Sequence, residues 1–393
     1  MKHYDFDQII DRSHSDAIKY CNLDVMFGKS DIIPLWIADM DFKVCPEISQ
    51  ALSHRIEHPI YGYAAVSPTF FSSIAQWIHS RHNFDVAEYE ITFVAGVVKG
   101  IAYAVNYFTN PGDKILIQPP VYHPFRAVIE GNKRVAVTNP LRFTGDGYEM
   151  DLDDLRHKIE TEKPKMMILC NPHNPIGIAW SPDTLRQVAE ICADNGVIVV
   201  SDEIHSDLTL GSHHHTPFLS VSDKARQIGI MLGAPSKTFN IPGMVSSWCV
   251  VKNPELRKDY FSWLTVNDFS SPTFFAMTAT EAAYHNGEQW LAEALRYISD
   301  NIEYISRELP RISGGRIRAV RPEASFLIWV DCRDMGMTHE ELTRFFIEKA
   351  GLGLNSGEMF GKEGRGFMRL NVATPRCILR EAVDRIEKAL SQI

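Results

Sequence analysis

Ile228-Gly229-Ile230-Met231-Leu232, followed closely by Ala234-Pro235-Ser236-Lys237-Thr238-Phe239-Asn240, is the stretch on which the fold turns. An apolar run of strand length ends in a turn that delivers a lone lysine beside a hydroxyl. Desolvation and nearby positive charge lower an amine's pKa, and the neutral amine is the form that attacks an aldehyde. Ser-Lys in an ordinary surface loop reads the same way locally, so the segments around it decide.

Working outward, residues 90 to 240 repeat one grammar: a short apolar run, a polar or glycine-bearing turn, then a helical pattern. That alternation predicts βα units around a mostly parallel sheet, whose ligands gather at the carboxyl ends of the strands. Ile91-Thr92-Phe93-Val94 runs into Ala95-Gly96-Val97-Val98-Lys99-Gly100 and a helix carrying Ile101, Ala102, Val105 and Asn106. Unpaired N–H groups and a positive dipole end at such a turn suit a phosphate. Lys114-Ile115-Leu116-Ile117 ends at Gln118-Pro119-Pro120-Val121-Tyr122, where the Tyr122 ring either stacks on a flat cofactor or closes the core. Lys165 to Cys170 leads to Asn171-Pro172-His173-Asn174-Pro175-Ile176-Gly177, and the two Asn-Pro steps aim an amide rigidly. Gly196 to Val200 ends at Ser201-Asp202-Glu203-Ile204-His205. A carboxylate there is expensive to bury unless something positive meets it.

The predicted sheet edge thus holds an amine, a carboxylate, an oriented amide, a stackable ring and a phosphate-binding turn. Pyridoxal phosphate uses all five: a lysine for its aldehyde, an acid to keep its ring nitrogen protonated, a donor for its phenolic oxygen, a ring over its face and a phosphate cup.

In this order the motifs resemble the fold-type I pyridoxal-phosphate enzymes of the aspartate aminotransferase superfamily, across essentially the whole chain. Trp36-Ile37-Ala38-Asp39-Met40-Asp41-Phe42, Tyr61-Gly62-Tyr63, Asp202-Glu203-Ile204-His205-Ser206-Asp207-Leu208 and Phe367-Met368-Arg369-Leu370-Asn371 narrow the resemblance to the MalY/PatB branch of carbon–sulfur β-lyases. The resemblance implies an α/β architecture: a large domain with a mostly parallel seven-stranded sheet flanked by helices, and a smaller α+β domain. It implies an amino-terminal arm over residues 1–45, a large cofactor-binding domain over 46–285 and a small domain over 286–393. It also implies roles. Lys237 would hold the cofactor as a Schiff base, Asp202 would pair with the pyridine nitrogen, Asn174 would bond the phenolic oxygen, and Tyr122 would stack on the ring. Val97, Val98 and Ser236 would bind phosphate, with Tyr61 reaching in from a second subunit of a homodimer. His205 would neighbour the cofactor, and Arg369 would grip the substrate α-carboxylate near Ala38 and Asn174.

Departures from the wider superfamily are visible. His205 stands at a usual tyrosine, and Asn240-Ile241-Pro242-Gly243-Met244-Val245 lacks an expected arginine, a loss that is normal in the lyase branch. Pro242 stands at an expected alanine, and Lys19-Tyr20 replaces an expected Lys-Trp. Lys99, in the first turn of the phosphate-binding helix, is expected to supply some of the missing charge.

Composition excludes other classes. The chain has 393 residues, 45% hydrophobic and 23% charged, enough for a large core and about two domains. Acidic residues outnumber basic ones 49 to 40, for a net charge of −9, and no basic block appears, which argues against nucleic acid and anionic membrane as partners. The polar start Met1-Lys2-His3-Tyr4-Asp5-Phe6-Asp7 lacks a secretory pattern, and no membrane-length apolar run follows, so a cytoplasmic location is expected. Seven scattered cysteines without C-x-x-C argue against a disulfide framework and a thiolate zinc site.

Three further features invite an assignment. His213-His214-His215 lacks partners at ligand spacing and reads as a solvated loop rather than a metal site. Glu203 should point away from Asp202, because successive strand side chains alternate. Arg365, Arg376 and Arg380 are expected in surface ion pairs. The predicted activity is β-elimination from a sulfur amino acid such as cystathionine, with a class I/II aminotransferase as the alternative. A regulatory protein-binding role, known for some relatives of this branch, would be additional.

Overall fold

The computed structural model describes residues 4–392; Met1–His3 of the polar start, and Ile393, lie outside the described residues. Its central feature is a seven-stranded sheet: β1 (Ile91–Val94), β2 (Lys114–Ile117), β3 (Val135–Thr138), β4 (Met166–Cys170), β5 (Ile198–Asp202), β6 (Gly229–Gly233) and β7 (Ser247–Val250). The spatial order is β1-β7-β6-β5-β4-β2-β3. Only β7 runs against its neighbours, and the remaining pairings are parallel. Met-Met-Ile-Leu-Cys in β4 and Gly-Ile-Met-Leu-Gly in β6 are buried throughout, as expected where helices cover both faces.

Helix Val97–Phe108 lies tight on this sheet because Gly100 has no side chain. A Cβ there would stand 3.0 Å from Leu232 and 3.2 Å from Val94. Gly96, with φ of +112°, makes the turn from β1 into the helix. Together the two glycines fix the helix's first turn at the strand ends.

The carboxyl-terminal part begins with helix Glu288–Ser313, which buries Trp290, Leu291, Ala294, Ile298, Ile302, Ile305 and Leu309 at three- and four-residue spacing. It packs with a four-stranded antiparallel sheet of β8 (Arg318–Val320), β9 (Leu327–Asp331), β10 (Asn355–Ser356) and β11 (Phe367–Asn371), ordered β8-β9-β11-β10. Helix Arg376–Leu390 closes the chain against it.

The amino-terminal arm joins both parts. Ile33–Pro34 pairs in parallel with Leu352–Gly353, and the Asp41 N–H donates to the Ala373 carbonyl at 2.9 Å. On the other side the Asn240 amide accepts from Met40 N–H at 2.9 Å and donates to the carbonyls of Met40 and Phe42, both at 3.0 Å. Arg12 binds Asp39 and Asp41 at 2.7 and 2.8 Å, and the buried Lys19 binds Asp41 at 2.6 Å. The arm is thereby laid across the turn that carries Lys237. Among the described residues no helix is long and apolar enough to cross a membrane.

Candidate active site

The strand ends enclose a cavity of about 270 Å³ whose wall includes Ala38, Val97, Val98, Tyr122, Asn174, Asp202, His205, Ser236 and Lys237. Nine residues singled out from sequence therefore meet in one place. Five strand ends supply eight of them, β1 Val97 and Val98, β2 Tyr122, β4 Asn174, β5 Asp202 and His205, and β6 Ser236 and Lys237, and the amino-terminal arm supplies Ala38.

Lys237 is partly buried, and its ammonium donates to the Ala38 carbonyl. Burial lowers its pKa to about 8; Arg369 adds to that effect, while Asp39 and Asp202 oppose it. Asp202 is 4% exposed. Burial raises its pKa to about 7, although Lys237 and a hydrogen bond from the Ile204 N–H at 3.1 Å pull the other way. Among the described residues that N–H is its one hydrogen-bond donor, and no lysine or arginine forms an ion pair with it. Beside it, burial lowers His205 to about 3, so the ring is neutral, and its buried Nδ1 has no partner among the described residues.

Arg369 lies in β11 and is also 4% exposed. One terminal nitrogen donates to Asn174 Oδ1 at 3.0 Å, and the other to the Trp36 carbonyl at 3.0 Å and Asn355 Oδ1 at 2.6 Å. Its guanidinium lies 4.9 Å from the Phe360 ring centroid. Every partner is neutral, and Nε has none among the described residues. Burial lowers this guanidinium to about 10, still charged at neutral pH. A buried guanidinium without an anion is a seat for a carboxylate.

Helix Val97–Phe108 opens into the cavity with no side chain capping its first turn. The first N–H groups of a helix have no partner within it. With Ser236 and the exposed Lys99 on the same wall, this end suits an anion. An acid lacking a cation, a cation lacking an acid, a lysine of lowered pKa and an anion cup together fit pyridoxal phosphate and an amino-acid carboxylate.

Other expectations fare differently. Tyr61 does not line this chain's own cavity; it is 56% exposed, stacks on Phe274 at 5.8 Å and donates to the Ile56 carbonyl at 3.4 Å. His213 and His214 are exposed as expected, but His215 is buried with its Nε2 2.7 Å from Glu203 Oε2, which corrects the reading of a wholly solvated triplet. Glu203 does turn away from Asp202, bonding Ser201 Oγ at 2.8 Å and the Phe218 N–H at 2.9 Å. Arg365 pairs with Glu358 at the surface. Arg376 makes no ion pair among the described residues; it donates to Asn301 Oδ1 at 2.7 Å and lies over the Tyr304 ring, because its site at the start of the last helix faces neutral acceptors.

Cys170, Ser246 and Ser247 line the cavity without having been anticipated. The serines head β7, whose antiparallel course brings its beginning to the edge where its neighbours end. A search for chemistry after each strand passes over them.

The family model for aminotransferases of class I and II matches residues 30–386. This chain belongs to that family. It is 39% identical over 390 residues to cystathionine beta-lyase PatB of Bacillus subtilis, covering 98% of this chain and 100% of the relative. Cystalysin from Treponema denticola, whose crystal structure contains pyridoxal 5'-phosphate, is 31% identical with a TM-score of 0.94 and full coverage of both chains. The pyridoxal-phosphate-bound C–S lyase of Staphylococcus hominis is 32% identical with a TM-score of 0.91, covering 99% of this chain and 98% of that one.

Proposed function

We propose that this protein is a pyridoxal-phosphate-dependent carbon–sulfur β-lyase that splits L-cystathionine or a related cysteine S-conjugate, with consumption of one water, into a thiol, pyruvate and ammonia. The observation that carries the site chemistry is the pair of unmet buried charges: Asp202, in the cavity wall with Lys237, and Arg369, which lies behind that wall and donates to its residue Asn174. The same residues would serve an aminotransferase. The choice of elimination rests on the relatives, two of which are named as lyases of this kind.

Bound in the cavity, pyridoxal phosphate supplies an electron-poor ring that takes up the electron pair freed when the substrate Cα–H bond breaks. Lys237 would hold the cofactor by its aldehyde carbon. Burial lowers this amine's pKa to about 8, so its neutral form would be at hand to take the Cα proton. Asp202 would keep a proton on the pyridine nitrogen, the cation that this acid lacks in the protein itself. Asn174, whose Oδ1 is taken by Arg369, has its amide hydrogens free for the phenolic oxygen. Tyr122 would cover a ring face, and Val97, Val98 and Ser236 would hold the phosphate. Arg369 orients the α-carboxylate beside Ala38.

The arm of residues 1–45, the large domain of 46–285 and the small domain of 286–393 act as three parts around this cavity, and their closure excludes water. The working unit is a homodimer in which Tyr61 reaches the phosphate of the second copy. Ile60, Tyr61, Tyr63 and Val66 form an exposed apolar strip that such an interface would bury. Seven scattered cysteines without a C-x-x-C pair suit a reducing compartment, and the enzyme would work in the cytoplasm.

The test is pyruvate release from the cofactor-loaded protein given L-cystathionine without keto acid, with Lys237→Ala as blank. Catalytic pyruvate that vanishes in the variant supports the lyase. Pyruvate at blank level, with amino transfer on adding a keto acid, replaces it by the aminotransferase.

A further inference from the structure

Asp207 belongs to the Asp202–Leu208 motif yet takes no part in the chemistry above. It lies in the short turn after β5, is 3% exposed, and its carboxylate is fully engaged. Oδ2 accepts from Thr238 Oγ1 at 2.8 Å and from the Trp77 indole N–H at 3.1 Å, while Oδ1 faces His82 Nε2 at 3.1 Å. Arg81 Nε stands 4.0 Å from Oδ1. Helix Phe70–His82 thus contributes three of the groups around one acid, and the fourth is the residue next to Lys237.

The same helix grips the next residue as well. Trp77 meets the Phe239 ring edge-on at 5.4 Å and stacks on Tyr284 at 5.1 Å. Thr238 and Phe239 are both buried, so the turn carrying Lys237 is held immediately behind the lysine by a hydrogen bond and an aromatic contact. A second buried pair lies alongside: the His82 and His215 rings are 5.0 Å apart, and His215 bonds Glu203, the residue after Asp202. The backbones of the amine and of the acid are therefore tied to one polar cluster behind the cavity.

We propose that Asp207 is a positioning residue for Lys237, acting through the Thr238 hydroxyl with His82 and Trp77 fixing the carboxylate. This rests on the reading of Lys237 as the cofactor lysine. A lysine on a loosened turn still forms its bond to the cofactor but holds it less uniformly, and misplacement of a reacting group lowers turnover more than binding.

Thr238→Val removes the hydroxyl and keeps the volume; Asp207→Asn removes the charge and keeps the shape; Thr238→Ser restores the hydroxyl. The readouts are the visible circular dichroism of bound pyridoxal phosphate and the division of the effect between kcat and KM. Thr238→Val and Asp207→Asn are expected to weaken the dichroism and lower kcat about tenfold, with KM within about twofold, while Thr238→Ser keeps the parent's values. Parental dichroism and kcat in a folded Thr238→Val protein would overturn the proposal, whether or not Asp207→Asn folds. A Lys237→Ala protein that kept the parent's visible band would instead overturn the assignment of Lys237 itself.

Discussion

Asp202 and Asp207 stand five residues apart, both buried almost completely, and their surroundings are opposite. Among the described residues Asp202 has one backbone N–H donor and no ion pair, and burial raises its pKa to about 7. At Asp207 burial also pushes upward, but His82, Arg81 and Thr238 outweigh it and hold the group below its usual value. The cations repeat the contrast: Arg12 and Lys19 in the arm are answered by Asp39 and Asp41, whereas Arg369 meets only neutral acceptors. A buried charge that the chain itself satisfies supports the fold. One left unanswered beside a cavity is completed by a ligand.

Substitution should separate the two kinds of charge, most strongly in turnover. Asp202→Asn is expected to lower kcat about 10²- to 10³-fold, because the amide cannot hold the pyridine proton against the charge developing in the transition state. Arg369→Lys should follow, with kcat/KM about 10²-fold lower, since an ammonium cannot reproduce the two-pronged contact. Steady-state kinetics with cystathionine measures both, and parental kinetics in either variant would end the corresponding assignment.

Stability reverses the ranking. Breaking one partner of the satisfied cluster in Asp207→Ala should cost about 3 kcal/mol in urea unfolding. Asp202→Asn should instead stabilise the cofactor-free protein at neutral pH. The sign follows from linkage: a folded acid whose pKa is raised binds its proton more tightly than the unfolded chain does. The resulting destabilisation is absent below about pH 4, grows as pH rises and is complete above about pH 7, where it amounts to about 4 kcal/mol. Unfolding of cofactor-free protein across that range should slope downward with pH in the parent and less steeply in Asp202→Asn. Equal slopes would erase the distinction between the two acids.

Much of the fold and of the site was legible from sequence, and what was missed has a physical pattern. The runs ending at Val94, Ile117, Cys170, Asp202 and Gly233 are continuous and apolar because both faces are covered, so they announce themselves, and chemistry follows each directly. β3 is a partly exposed edge strand, and β7, Ser-Trp-Cys-Val, opens on a serine and runs antiparallel, so its carboxyl end lies away from the chemistry that marks the others. Satisfaction of charge was the harder property to read. Nothing local distinguishes Asp202 from Asp207, because the groups that answer the latter come from Trp77, His82 and Thr238, far off in the chain. His215 was misread for the same reason, since its partner Glu203 comes close only when β5 and the loop fold together.

A smaller effect tests the proposed second subunit. Tyr61→Phe removes one hydroxyl and should weaken pyridoxal-phosphate binding about three- to tenfold, the usual scale of one hydrogen bond, while leaving unfolding of the cofactor-free protein unchanged. Cofactor affinity equal to the parent's would withdraw Tyr61 from the phosphate site and leave the exposed strip as the support for a dimer.

The smallest effect lies at the phosphate end, where the contrast between met and unmet charge is weakest. Lys99 is exposed and reaches the cavity wall from the first turn of helix Val97–Phe108, with no ion pair among the described residues. Solvent screens an exposed cation, so it contributes far less to a bound phosphate than Arg369 does to a buried carboxylate. Lys99→Ala should therefore weaken cofactor binding only about threefold at low ionic strength and by less as salt is added, because the screening length falls from about 30 Å at 0.01 M to about 10 Å at 0.1 M. Titration of the cofactor-free protein with pyridoxal phosphate at two salt concentrations reads this directly. An unchanged affinity at low salt would mean that backbone N–H groups and Ser236 hold the phosphate without Lys99. A loss that persisted at high salt would mean that Lys99 makes a desolvated contact once the cofactor is bound, which would place it with Asp202 and Arg369 among the charges completed by a ligand.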